Sequence, residues 1–174
     1  MPAASTWNAL VWTYLSGPKI DRVLFRRIAK TKPQRIVELG LTDLHRTLRM
    51  IRMAQRYTDE TIHYCGIDLF ESRGESGLKL KDTHSRLSQT GGKIRLVPGE
   101  LMPAIARSAN ILSDTDLLII SAEHSSDDLG AVQMFMPRML KSDSSIARFR
   151  LTDDRQELRW LKPSVFIEPR KNAA

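Results

Sequence analysis

Apolar and polar positions follow two different periods along this chain. Short apolar runs typical of β-strands occur at 35–40, 61–70, 93–100 and 116–122, and stretches with helical spacing lie between them. The run at 116–122, DLLIISA, is apolar at consecutive positions, as in parallel strands covered on both faces. We therefore predict four strands at these places and a weaker fifth strand, SSIARFR, at 144–150.

Helices are predicted in the intervals between these strands. Residues 6–30 contain two helical stretches, and the Ser-Gly-Pro sequence at 16–18 predicts a break between them. After the first strand, Thr42 is expected to cap a helix, with Asp43 near its positive N-terminal end. In that helix Leu44, Leu48 and Ile51 share one apolar face. Further helices are predicted at 78–89, at 101–109 and from 127 onwards.

The alternation of strands and helices predicts the fold class. It indicates an α/β protein with a doubly wound, mostly parallel, Rossmann-like sheet and helices on both faces. We expect a single domain over 1–174. It comprises a helical lead-in at 1–32, a Rossmann-like core at 33–150 and an extension at 151–174 with one more strand and a helical turn.

Composition and charge narrow the classes of function. Apolar residues make up 41% of the chain and charged residues 27%, which is typical of a soluble globular domain. The formal net charge of +7 makes acidic partners plausible, nucleic acid among them. Cys65 is the single cysteine, which excludes an intramolecular disulfide, and we expect it to be buried and inert. The apolar run WNALVWTYL is too short to span a bilayer, so we expect a cytoplasmic protein without a membrane partner.

The candidate site lies at the carboxyl ends of the predicted strands, where sheets of this class bind ligands. The corresponding segments are 38–42, 68–71, 98–101 and 121–125. The first of them lies in RIVELGLTDLHR, where an acid is followed by Gly40 alone. A nucleotide-binding turn usually contains several glycines, because its backbone turns sharply and approaches the ligand closely. The function therefore depends on whether one glycine is enough.

Four motifs at these strand ends resemble those of one known family. VELG at 37–40, GIDLF at 66–70, VPGEL at 97–101 and DLLIISAEHSSDD at 116–128 have the order and spacing found in class I S-adenosylmethionine (SAM)-dependent methyltransferases. Small bacterial members are the most similar. The resemblance covers roughly residues 33–150.

The resemblance implies SAM as the cofactor and assigns residues to it. Asp68 would accept hydrogen bonds from the ribose hydroxyls, and Glu38 would orient the amino group of the methionine moiety, directly or through water. Residues 97–101 would lie beside the adenine. The cofactor-binding residues implied in this way are Glu38, Gly40, Asp68, Leu69, Gly99, Glu100 and Ser121.

The chain departs from the family pattern at several positions. Leu41 to Leu44 follow Gly40 where small residues and a second glycine are usual, and they would crowd the ligand. Ser121 and Ala122 replace the common Asp and Gly of the fourth strand. Arg148 and Arg150 flank the end of the fifth strand, where a metal-dependent member would have carboxylates, so we predict no metal. The chain also looks short at its C-terminal end, where the family adds an antiparallel hairpin.

Catalytic residues are unknown from the sequence, and Glu123 with His124 is the weak candidate. They could act as an acid–base pair beside the cleft, with the carboxylate raising the pKa of the histidine. In the alternative interpretation His124 only hydrogen-bonds the backbone of its loop.

Three functional hypotheses follow. The first is a SAM-dependent methyltransferase-like enzyme with an unidentified acceptor, and the second is a degenerate relative that keeps the fold for binding or scaffolding. The third is a basic RNA-associated protein, in which four arginines form a phosphate-contacting strip: Arg46, Arg49, Arg52 and Arg56. Association into an oligomer would cover an exposed sheet edge.

Overall fold

The structure is a computed structural model that describes residues 18–74, 77–153 and 155–167. The first predicted helix, residues 75, 76 and 154, and the end of the C-terminal extension lie outside the described residues. The strands are β1 (Arg35–Leu39), β2 (His63–Asp68), β3 (Lys93–Pro98), β4 (Thr115–Ile120), β5 (Leu140–Thr152) and β6 (Arg155–Leu161). The helices are α1 (Lys19–Thr31), α2 (Leu44–Gln55), α3 (Leu80–Ser88), α4 (Leu101–Ser108), α5 (Ser126–Val132), α6 (Met136–Met139) and α7 (Ser164–Ile167), with 3-10 helices at Phe70–Arg73 and Gln133–Phe135.

The strands form one sheet in the order β3-β2-β1-β4-β5-β6. The first five are parallel, and β6 runs antiparallel to β5. In the centre of the sheet Val37 of β1 lies opposite Cys65 of β2 and Leu118 of β4. The strand order reverses between β1 and β4, which opens a crevice at the carboxyl ends of these strands. The predicted doubly wound, Rossmann-like sheet is confirmed.

Each face of the sheet carries its own apolar core, because successive residues of a strand point to opposite faces. Helices α1, α2 and α3 cover the face that contains Ile36 and Ile119. Helices α4, α5 and α6 cover the opposite face, which contains Val37 and Leu118. Burial of β1 and β4 on both sides explains their nearly uninterrupted apolar sequences.

Helix α2 begins one residue later than the sequence predicts. Asp43, and not Thr42, is the N-cap residue, and its carboxylate accepts a hydrogen bond of 3.0 Å from the backbone N–H of Arg46. The backbone of Asp43 is extended, which is the usual conformation at this position. The predicted apolar face of Leu44, Leu48 and Ile51 is buried in the core.

Strand β5 is longer and more central than the prediction of a weak strand. It extends over thirteen residues because it pairs with β4 on one side and β6 on the other. The first residues of β5 are polar, so the sequence does not show that the strand is central. Ser144 is nevertheless buried, because its hydroxyl donates a 2.6 Å hydrogen bond to the carbonyl of Thr115. Strand β6 follows the parallel sheet and forms an antiparallel hairpin with β5, so the expectation that the chain is too short for such a hairpin is wrong. A helical turn follows β6.

The phosphate-contacting strip that the sequence indicated is not fully exposed, because Arg46 is buried and Arg49 is half-buried. Asp21 of α1 is completely buried and forms ion pairs with Arg46, at 2.9 Å, and with Arg49. The guanidinium of Arg46 also stacks on the ring of Phe149, 4.4 Å from its centroid. Arg46 is therefore an internal link between α1, α2 and β5 and is not available to a phosphate group.

Candidate functional site

A cleft of about 370 Å³ lies at the carboxyl ends of the parallel strands. Its volume is within the range of small-ligand sites. Of the residues that the sequence assigned to the site, Asp68, Leu69, Gly99 and Glu100 line it together with Glu123 and His124. Its other lining residues are Ile67, Arg73, Leu101, Met102, Pro103, Asp128 and Ala131.

Asp68 ends β2 and points its carboxylate into this cleft. Its side chain is only 1% exposed, and one oxygen accepts a 3.1 Å hydrogen bond from the backbone N–H of Phe70. The second oxygen is bound by the guanidinium of Arg73. The carboxylate thus lies where the resemblance requires it, but an internal cation already neutralises it.

Arg73 joins two strand ends across the cleft. It lies at the end of the 3-10 helix that follows β2, and its guanidinium binds both Asp68 and the carboxylate of Glu123 beyond β4. The hydrogen bond from Nη2 to Oε1 of Glu123 measures 2.9 Å. Hydrogen bonding to Glu123 and the two carboxylate charges raise the pKa of Arg73 despite its partial burial. The bridge is therefore permanently charged.

Gly40 supplies the sharp turn after β1. Its φ of 81° is in the left-handed region that favours glycine. A Cβ at this position would clash with the carboxylate of Glu123 and the hydroxyl of Ser121. One glycine is enough to make this turn, but the space above it is filled by the protein's own carboxylate. Gly40 and Ser121 support the cleft from below and do not line it.

Glu38 points away from the cleft, towards the core beneath α2. Only 4% of the residue is exposed, and one carboxylate oxygen accepts hydrogen bonds from Tyr64 at 2.7 Å and Thr47 at 2.9 Å. Burial raises the pKa of Glu38 to about 7, although these hydrogen bonds act to lower it. The same burial and the neighbouring Glu38 raise the pKa of Tyr64. Contact between Glu38 and a ligand therefore stays a prediction.

Glu123 and His124 are neighbours in the cleft, but their electrostatics differ from the expected acid–base pair. Nε2 of His124 lies 3.8 Å from Oε1 of Glu123 and has no hydrogen-bond partner among the described residues. Burial lowers the pKa of His124 below its usual value, and this outweighs the attraction of Glu123. Burial acts to raise the pKa of Glu123, yet hydrogen bonds and charge from Arg73 hold it below the usual value. Glu123 thus acts to raise the pKa of His124, as expected, but burial gives the net shift the opposite direction.

The segment from the end of β3 to the first turn of α4 forms one wall of the cleft. Glu100 occupies the N-cap position of α4, and Gly99 precedes it with a φ of 127°. The guanidinium of Arg107 donates a 3.1 Å hydrogen bond to the carbonyl of Pro98, which ties the last turn of α4 to the end of β3. With Leu101 and Met102 this segment gives the cleft an apolar wall.

Sequence reasoning missed Arg73 and Asp128 as parts of the cleft. Asp128 lies in the first turn of α5, where its carboxylate accepts hydrogen bonds from the N–H and hydroxyl of Ser125. These hydrogen bonds lower the pKa of Asp128. The double acid at 127–128 was visible as a helix start, but the polar sequence ESRGESG contains no signal that its arginine folds back.

Among the described residues there is no group of three or more His, Cys, Asp or Glu side chains placed to hold a metal ion. No helix in that part of the chain is both long and apolar enough to cross a membrane. Cys65 is buried in β2, as predicted, and burial raises the pKa of its thiol to about 11.

No family model and no curated protein matches the sequence, but solved structures match the fold. An O-methyltransferase from Bacillus cereus, in complex with SAH, has a TM-score of 0.59 and 10% identity, over 87% of this chain and 64% of that protein. The O-methyltransferase TomG from Streptomyces achromogenes, involved in tomaymycin synthesis and in complex with SAM, has a TM-score of 0.53 and 14% identity, over 85% of this chain and 61% of TomG. A methyltransferase from Geobacter sulfurreducens has a TM-score of 0.50 and 16% identity, over 85% of this chain and 72% of that protein.

The chain spans less than two thirds of the Bacillus and Streptomyces proteins. The likeness at these identities is one of fold. This chain has the Rossmann-like fold of these methyltransferase structures.

Proposed function

We propose that the cleft binds SAM and that the protein is a methyltransferase whose acceptor is unidentified. The observation that carries this proposal is the charge of the cleft. Four carboxylates line it, from Asp68, Glu100, Glu123 and Asp128, against one guanidinium from Arg73. The lowered pKa of His124 keeps its ring neutral at pH 7. An acidic cleft in a chain of net charge +7 favours a cationic ligand, and SAM carries a sulfonium cation.

The strand ends supply the polar contacts that such a ligand needs. Asp68 would accept hydrogen bonds from the ribose hydroxyls, since its carboxylate is fixed at the end of β2. Leu101 and Met102 offer the apolar wall on which the adenine would lie, next to Leu69 and Gly99. Glu38 would help to place the methionine end only through Tyr64 or a small movement, because its carboxylate faces the core.

The cleft fits SAM only if Arg73 moves. Its guanidinium covers the oxygen of Asp68 that would bind the ribose, and it holds Glu123 above the Gly40 turn. Arg73 is about one quarter exposed. It lies just before Gly74, which has a positive φ of 79° and, as a glycine, can adopt more backbone conformations than other residues. A short movement of this 3-10 helix would free both carboxylates.

His124 is the residue best placed to accept a proton from an acceptor substrate. Its ring is neutral near pH 7, and its Nε2, which is buried, has no hydrogen-bond partner among the described residues. SAM supplies an electrophilic methyl group when bound, and an acceptor hydroxyl attacks it more readily once a base removes its proton. The expected consequence is methyl transfer that declines as pH falls and His124 becomes protonated.

The ion pairs of Arg73 with Asp68 and Glu123 favour a second candidate function. If Arg73 and Glu123 do not move, the protein keeps the fold but uses its surface for binding or scaffolding. Leu41 favours this interpretation as well, because it is buried beneath the turn where the family has small residues.

Isothermal titration calorimetry of the whole chain with SAM and with SAH separates the two. The proposal predicts saturable binding of SAM, and tighter binding of SAM than of SAH, because SAH lacks the sulfonium charge. Binding of SAH alone would contradict the electrostatic argument. Binding of neither compound, even after substitution of Arg73 by Ala, would support the degenerate protein.

A further inference from the structure

The net positive charge of the protein is concentrated on two neighbouring helices. Together α1 and α2 carry a net charge of +7, equal to the formal net charge of the whole chain. The only acid within them is Asp21. Their basic residues are Lys19, Arg22, Arg26, Arg27 and Lys30 on α1 and Arg46, Arg49 and Arg52 on α2.

The fold removes the one acid from the surface of these helices. Asp21 is buried and bound to Arg46 and Arg49, so the outer faces of α1 and α2 carry no carboxylate. Lys19, Lys30 and Arg52 are exposed on these faces. The exposed surface of α1 and α2, here called the basic face, therefore attracts anions.

The basic face also contains more hydrogen-bond donors than acceptors. The Nε atoms of Arg22 and Arg49 are buried and have no hydrogen-bond acceptor among the described residues. These buried atoms cannot reach a partner, so a partner rich in anionic oxygens would be bound by the exposed head groups of this face. Phosphate groups supply such oxygens, and guanidinium groups bind them with matched geometry.

The apolar side chains of the two helices argue against a lipid bilayer or another protein as the anionic partner. Leu24, Phe25 and Ile28 of α1 are completely buried, so none of these three can enter a lipid bilayer. Val23, at 44% exposure, is the sole exposed large apolar residue of α1 and α2, which is too little for a typical protein–protein anchor.

Nucleic acid is the remaining phosphate-rich partner, and the basic face favours a double helix over a single strand. Trp160 borders α1, but the guanidinium of Arg27 covers its ring at 4.6 Å, so it offers no free surface on which a base could stack. Both helices are about 20 Å long, as expected from 1.5 Å per residue. They pack side by side and form a broad cationic surface, which suits contact with two phosphate strands.

We propose that the basic face binds the phosphate backbone of a nucleic-acid double helix, without reading its sequence. The contacts are made by Lys19, Lys30 and Arg52 together with the half-buried Arg22. This surface differs from the arginine strip that the sequence indicated, because it includes α1 and excludes Arg46. It is independent of whether the cleft binds SAM.

Fluorescence anisotropy with a labelled 20-base-pair RNA duplex tests this proposal in the parent chain and two triple variants. The first variant is Lys19→Gln/Lys30→Gln/Arg52→Gln on the basic face. The second is Arg86→Gln/Arg138→Gln/Lys162→Gln, which removes the same charge from exposed positions elsewhere. Each is titrated at several salt concentrations, and thermal melting without ligand checks that both variants are folded.

The proposal predicts micromolar binding by the parent at low salt, with a slope of log affinity against log salt of about −4. The basic-face variant should lose about three units of this slope, since each phosphate contact contributes about 0.9, and the control variant should keep it. Equal losses in both variants, or no binding by the parent, would overturn the proposal. Binding to vesicles of anionic lipid without binding to the duplex would also overturn it and indicate a membrane partner.

Discussion

The carboxylate of Glu123 lies against the backbone of Gly40, in the turn where the resemblance places the methionine end of SAM. The single glycine of RIVELGLTDLHR is thus required by the folded protein itself, whether or not a ligand binds. Substitution of Gly40 by Ala should therefore lower the free energy of unfolding by about 1–3 kcal/mol, because it adds a clash to a strained positive φ.

Urea denaturation measures this effect, and Gly130 provides the control. Gly130 lies within α5, has no positive φ and has open space where a Cβ would lie, so Gly130→Ala should be neutral or stabilising by up to about 1 kcal/mol. Equal stability changes for the two substitutions would show that the Gly40 turn is not constrained as described.

Removal of Arg73 should improve the binding of SAM. Arg73→Ala frees Asp68 and Glu123 from their shared cation and makes the cleft more negative. Partly exposed ion pairs of this kind are worth about 1 kcal/mol, which corresponds to roughly fivefold tighter binding. Calorimetry of the variant beside Arg86→Ala, an exposed cation on α3, measures the change. Weaker binding by Arg73→Ala would show that Arg73 contacts the ligand instead of obstructing it.

Glu38 should make the stability of the protein depend on pH. Its pKa rises from the ordinary 4.5 to about 7 on folding, so the folded protein holds a proton that the unfolded chain releases between these values. Stability from this group is complete below pH 4.5 and is lost as the pH rises to about 7. The free energy of unfolding falls by about 3 kcal/mol over this range, because each pKa unit corresponds to about 1.36 kcal/mol.

Glu38→Gln removes this titration and keeps an oxygen that can accept from Tyr64 and Thr47. The variant should match the parent near pH 4.5 and exceed its stability by about 3 kcal/mol at pH 8, as measured by denaturant unfolding at each pH. Glu60→Gln, at an exposed position, is the control and should follow the parent throughout. A difference between Glu38→Gln and the parent that stays constant with pH would contradict the raised pKa.

The sheet and the position of the cleft could be predicted from the sequence because both depend on local patterns. Apolar runs set β1, β2 and β4, and the carboxyl ends of parallel strands meet at one edge, which placed Asp68 and Gly99 in the same cleft. Strand β5 was underestimated because its buried serines satisfy their hydroxyls through contacts distant in sequence, as Ser144 does with Thr115.

Side-chain direction could not be predicted, because it depends on partners from distant elements. Glu38 turns inward to Tyr64, which is 26 residues away. Arg73 turns across the cleft to Glu123, which is 50 residues away. Arg46 is buried because Asp21 lies beneath it on another helix. Each of these residues is polar and would be placed at the surface by periodicity alone.

The central claim is that the carboxylate at the end of β2 holds SAM, and calorimetric titration of Asp68→Ala tests it most directly. The matched control is Asp143→Ala, an exposed acid near the start of β5 at the opposite end of the sheet. We expect Asp68→Ala to bind SAM about 10- to 100-fold more weakly than the parent, in keeping with one charged hydrogen-bonding group. Asp143→Ala should bind like the parent, and both variants should stay folded. Asp68→Ala with the affinity of the parent would contradict the account.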